Sequence, residues 1–216
     1  MRNTALSVAI LAAAGVAGTA LAGHDGVATI TTNAYSALPG GEFTIDNIVG
    51  NLGLTGMAAD LSLTSFETFC VEVNEHFGPG GAYGMDVNNV AIQGGSGGPF
   101  YPLDPRTAFL YWNFRNGTLP LFDYSVAGRL GSSGALQAAI WFIQGNQSGG
   151  ANNVFVAMAD AAVLSGAWSG IGDVRILNVY DGNDGLAQDQ LTIVPTPGAA
   201  ALLGAGLLAS SRRRRS

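Results

Sequence analysis

The chain contains no lysine, a single cysteine and two histidines, and only 11% of its 216 residues are charged. With one Cys, no intramolecular disulfide can form. His24 and His76 are too few and too far apart for a histidine-based metal centre, so no metal and no cofactor are expected. Positive charge is confined to nine Arg, at positions 2, 106, 115, 129, 175 and 212 to 215. The net charge of −6 and pI near 4.6 exclude a basic nucleic-acid binder. No glycine-rich phosphate loop and no Ser-His-Asp set is present, so the chain does not read as an enzyme. What is abundant is small and apolar: 48% hydrophobic residues, 32 Gly and a mean hydropathy of +0.28. That balance rules out an acidic disordered chain.

Much of the apolar excess lies at the two ends. Arg2 precedes an uncharged run from Ala5 to Leu21, and Ala20-Leu21-Ala22 is a small-x-small cleavage site. This is a secretory signal peptide over 1–22, with cleavage expected after Ala22. At the other end, Pro195-Thr196-Pro197 precedes an apolar Leu/Ala/Gly run and then Arg212, Arg213, Arg214 and Arg215. The apolar run suits transient anchoring in the inner membrane, with the Arg cluster held on the cytoplasmic side. This three-part order over 195–216 resembles the PEP-CTERM sorting tail of Gram-negative bacteria. The resemblance implies an exosortase-like processing enzyme as partner and a final place at the cell surface or outside the cell. Thr196 stands where that family has Glu.

Between the signals, 23–194 suits one extracellular domain. It carries fifteen acidic residues against four Arg, a net charge of −11, which argues against nucleic acid and anionic membranes as partners. Strand composition marks 27–32, 42–49 and 66–73, and more weakly 86–93, followed by a Gly-rich loop at 94–99. Three helices are then predicted. Asp104 and Pro105 open the first over 105–115, Ser132 or Ser133 caps a second that Gly145 ends, and Asn152 or Asn153 opens a third. Strands 174–180 and 186–194 flank Asp-Gly-Asn-Asp-Gly as a hairpin. Asp181, Asn183 and Asp184 there read as a plain turn rather than a Ca²⁺ loop, and His76 with Glu72 and Glu75 as a surface charge cluster. The expected fold is α+β: a β-rich, sandwich- or barrel-like domain with an inserted segment of about three helices. The signal peptide and a C-terminal sorting helix flank it.

The lone cysteine of an exported chain asks for an explanation. Cys70 lies between Phe69 and Val71 in a predicted strand, and Leu136-Gln137-Ala138-Ala139-Ile140-Trp141 lies on the second predicted helix. An aromatic-Cys-apolar strand followed by a Gln-x-x-Ile-Trp helix resembles the thioester domains of bacterial surface adhesins, over about 66–145. Leu136 occupies the position where that family has Thr. The resemblance implies that Cys70 attacks the Gln137 carboxamide and expels ammonia, leaving an internal thioester that captures an amine or hydroxyl on a partner. Such a bond requires a Cys environment that permits deprotonation and an apolar shield against water. Gln137 and Trp141 are one helical turn apart, so Trp141 is the expected shield. Phe69 and Val71 face away from Cys70, whereas Glu72 shares its face and is the candidate proton relay. The absence of Lys leaves no internal ε-amine to consume the bond. The alternative expectation is a passive envelope or biofilm-matrix protein with Cys70 unreacted.

Overall fold

In Gly26–Thr32 (β1), alternate residues Ala28 and Ile30 are buried and their neighbours are partly exposed, the signature of a strand with one face on a core. Phe43–Gly50 (β2) repeats the pattern with Phe43 and Ile45. The computed structural model describes residues 23–37, 40–53, 64–92 and 100–194. The expected signal peptide, the loop at 94–99 and the sorting tail, including Pro195 to Pro197 and Arg212 to Arg215, lie outside the described residues. Among the described residues, no helix is long and apolar enough to cross a membrane.

The further strands are Phe66–Thr68 (β3), Ala82–Asn88 (β4), Val90–Ala91 (β5), Tyr101–Pro102 (β6), Val174–Tyr180 (β7) and Leu186–Ile193 (β8). Six of them form one antiparallel sheet in the order β3-β2-β1-β4-β7-β8, and β5 pairs with β6 in a separate ribbon. The sheet curls into a half-barrel whose two edges meet through one short stretch of chain. Residues 66–68 pair with β2. Immediately afterwards Phe69 O accepts from Leu191 N at 3.2 Å, Val71 N donates to Asp189 O at 2.9 Å, and Cys70 bridges to Gln190. The fold is therefore mixed α and β, a curled antiparallel sheet with three helices.

Pro105–Arg115 (α1) starts as the sequence predicts, with Asp104 Oδ1 accepting from Arg106 N at 2.8 Å and Pro105 in the first turn. Val154–Leu164 (α3) is capped by Asn153, whose Oδ1 accepts from Phe155 N while its Nδ2 donates to Ala135 O on the neighbouring helix. That neighbour, Arg129–Ile143 (α2), begins earlier than expected, at Gly128 rather than Ser132 or Ser133. Ser133 is buried one turn inside and donates to the Glu42 carboxylate at 3.0 Å, so a distant acid has drawn it away from a capping role. Gly145, at φ +75°, follows the end of α2 as expected.

Two cores result, one on either side of the β7–β8 end of the sheet. The outer core packs the helices against β7 and β8 through Leu110, Phe114, Leu136, Ile140, Ile176 and Leu191. The inner one fills the curl with Ile30, Ile45, Phe66, Met85, Leu177 and Trp141. Phe69 and Val71 belong to the outer core and Cys70 to the inner, so this stretch alternates faces as its sequence implies.

Two predicted strands come out shorter. The run 66–73 ends as a ladder at Thr68, and 86–93 divides into the end of β4 and the two-residue β5. The first break has a clear cause: the main-chain groups of Cys70 are taken by a side chain, as described below. The Asp181 turn closes on itself. Asp181 Oδ1 accepts from Asn183 N and Gly185 N, and Asp184 takes φ +58°, which makes it an Asx-type hairpin turn.

Candidate functional site

Ser133, Gln137 and Trp141 recur every four residues on α2 and form one stripe facing the sheet. Each meets a different piece of chain. Ser133 reaches Glu42. Trp141 donates from Nε1 to Glu72 O at 3.0 Å. Between them, Gln137 Oε1 accepts from Cys70 N at 2.9 Å and from Gly41 N at 3.2 Å, and its Nε2 donates to Cys70 O at 2.8 Å. The carboxamide thus occupies the place of a neighbouring strand beside Cys70, which is why β3 stops short. Cys70 and Gln137, 67 positions apart, are brought together in a site with 0% and 1% exposure. Trp141, at 6% exposure, lies in the same core as Cys70.

The Cys70 Sγ accepts from Gln190 Nε2 at 3.4 Å. Burial pushes the thiol well above its ordinary range; the Gln190 hydrogen bond opposes this and the nearby Glu72 reinforces it. The environment therefore disfavours a free thiolate, contrary to what a pre-ionised nucleophile would need. Any attack from Sγ must move its proton in the same step rather than store a charge beforehand.

Glu72, expected in a surface cluster with His76 and Glu75, is fully buried, whereas His76 is exposed. Its Oε2 accepts from Asp189 N at 2.8 Å, and its Oε1 has no protein partner. Asp189 is far better supplied, with Val179 N on Oδ1 and Asn178 Nδ2 and Ile92 N on Oδ2. Burial, then the charge of Asp189, pushes the Glu72 carboxyl well above its ordinary value. The pair therefore holds one proton on Glu72 and the charge on Asp189, where the donors are. In that state Glu72 gives a proton more readily than it takes one. Glu75 is pushed up to about 7, by burial and then by Asp189.

The sequence did not single out the glycine pair before Glu42. A Cβ on Gly40 would lie 2.4 Å from the Trp141 ring and 2.7 Å from Gln137 Cγ. Gly41 takes φ +123°, and a Cβ there would lie 2.5 Å from Ala37 N. Glu42 then anchors the loop to α2. Its buried carboxylate accepts from Arg129 Nε and Nη2 at 2.9 and 2.7 Å as well as from Ser133. Arg129 in turn lies over the Tyr35 ring at 4.7 Å. This charge pair sets the register of Gly41 N against Gln137. Gly40→Ala is expected to lower the unfolding free energy by about 1–3 kcal/mol through overpacking against Trp141, read by urea denaturation.

Gln188, Asp189 and Gln190 also belong to the site, and three consecutive polar residues in a largely apolar strand are their signal in the sequence. His24 sits with Nδ1 3.1 Å from Asp86 and its ring stacked on Tyr180 at 4.4 Å, a packing role. Among the described residues, no group of three or more His, Cys, Asp or Glu is arranged to hold a metal ion. Comparison of the chain with protein-family models, with curated proteins and with solved structures finds no match.

Proposed function

We propose that this is an exported cell-surface or extracellular-matrix protein, freed of its signal peptide after Ala22 and sorted by an exosortase-like enzyme acting at Pro195-Thr196-Pro197. Its folded domain condenses Cys70 with Gln137 into an internal thioester and then captures a nucleophile on a partner in a single turnover. The observation that carries this reading is the Gln137 carboxamide held against the Cys70 main chain in the buried interior. In the reaction the Sγ–Cδ bond forms, the Cδ–Nε2 bond breaks, and the thiol proton leaves with the nitrogen as ammonia. Reactants and products are neutral, which suits a buried site. Holding the two groups in place supplies most of the acceleration; well-oriented pairs reach effective concentrations of about 10⁵ M or more. Trp141, fixed through its hydrogen bond to Glu72 O, excludes water from the product.

Methylamine tests the bond. Treatment of the native protein should convert the Gln137 side chain to an N-methyl amide and release one thiol, titratable after denaturation. An unmodified Gln137, with one thiol per chain before any treatment, would contradict the reading. For sorting, replacing Arg212 to Arg215 by Ser should leave the C-terminal tail unprocessed in the native host, read by mass of the recovered protein. Normal processing would contradict the exosortase step.

One observation favours the passive alternative. The carboxamide fully satisfies the main chain of Cys70 and the N–H of Gly41 without any covalent bond, so Gln137 also serves as a structural clamp. In that reading the domain is an envelope or biofilm-matrix component with Cys70 unreacted, and methylamine leaves it unchanged.

A further inference from the structure

We propose that the main-chain N–H groups of Gly41 and Cys70 form an oxyanion hole that drives thioester formation at Gln137. The proposal rests on the thioester reading and assigns the groups that make the bond form. Both N–H groups point at the same atom, Gln137 Oε1, at 3.2 and 2.9 Å. When Sγ adds to Cδ, that oxygen changes from a carbonyl to an alkoxide, and donors already in place bind the developing charge without reorganising. Cys70 and Gln137 are both buried, and the low-dielectric interior strengthens the effect. The third contact aligns the leaving group: Nε2 is held on Cys70 O at 2.8 Å, which fixes the rotation of the carboxamide.

The sequence around the hole is built for this geometry rather than for generic packing. Gly41 needs positive φ to direct its N–H inward, and a side chain there would strike Ala37. Gly40 lets the loop lie directly on Gln137 and Trp141. The Glu42–Arg129 pair, with Ser133 one turn before Gln137, holds the loop at that height on α2. Loss of the Gly41 donor leaves a single N–H on the oxygen.

The test follows ammonia loss over time by intact mass after the protein is refolded from denaturant as the carboxamide form. Wild type is expected to lose one ammonia, and Gly41→Ala, checked for native fold by circular dichroism, to do so at least about 10²-fold more slowly. A second readout needs no substitution. In wild type labelled with carbon-13 at the glutamine carboxamide, the thioester C=O stretch should lie at lower frequency in the folded protein than after unfolding. A folded Gly41→Ala that matches the wild-type rate, or a C=O band that does not move on unfolding, overturns the oxyanion hole while leaving the thioester standing. Wild type that never loses ammonia overturns both.

Discussion

Cys70→Ala is expected to lower the unfolding free energy by about 4 kcal/mol, far more than the loss of one buried sulfur would cost. A thioester between residues 67 positions apart closes a loop in the unfolded chain, and the loop-entropy relation used for disulfides gives about 4 kcal/mol for a loop of that size. Removing the sulfur alone, with the Gln137 clamp intact, would cost only about 1 kcal/mol. Gln137→Ala should cost more than Cys70→Ala. It removes the cross-link and also strands the N–H groups of Cys70 and Gly41, which lose the oxygen that accepts from both. Each unmade buried hydrogen bond costs about 1–3 kcal/mol. Urea denaturation of the two variants and wild type measures both effects. A Cys70→Ala penalty near 1 kcal/mol beside a large Gln137→Ala penalty would be the mark of the passive clamp.

The second large effect is a dependence on pH. The folded protein holds a proton on Glu72 that the unfolded chain releases above its ordinary value of 4.5. The folded state thus binds more protons than the unfolded one, so this group's contribution falls as pH rises from that value through neutrality. One retained proton gives a slope of at most about 1.4 kcal/mol per pH unit. Glu75, pushed up to about 7, adds to the slope in the same direction up to that pH. Glu72→Gln keeps the shape of the side chain and removes its titration. The variant should therefore gain on wild type as pH rises from about 5 to about 8, read as unfolding free energies at several pH values. Parallel curves for the two proteins would show that Glu72 is already ionised in the fold.

Local chemistry was legible in the sequence wherever one residue type decides the outcome. Asp104 with Pro105 starts α1, Asn153 caps α3, and Asp181 closes the last hairpin, because each satisfies main-chain groups within a few residues. The opposite faces of Phe69 and Cys70 follow from strand alternation alone. Nothing local joins Cys70 and Gln137, so their meeting is not written in either segment alone. Long-range partners account for the failures. Ser133 reads as a cap until Glu42 arrives from a distant loop. The strand through Cys70 reads as continuous until a side chain replaces its neighbour. Glu72 reads as exposed until β8 covers it. Gly40 and Gly41 carry no signal in the sequence, because only the packed helix shows what a Cβ would strike.

The half-barrel, the glycine loop and α2 converge on one carboxamide, and the fate of its nitrogen separates the thioester from the passive clamp. Intact mass of freshly prepared native protein decides this directly. The mature wild-type chain should be lighter than its sequence by the mass of one ammonia, and Cys70→Ala should show no deficit. A wild-type chain at full sequence mass, with Cys70 titrating as a free thiol on unfolding, would contradict the thioester.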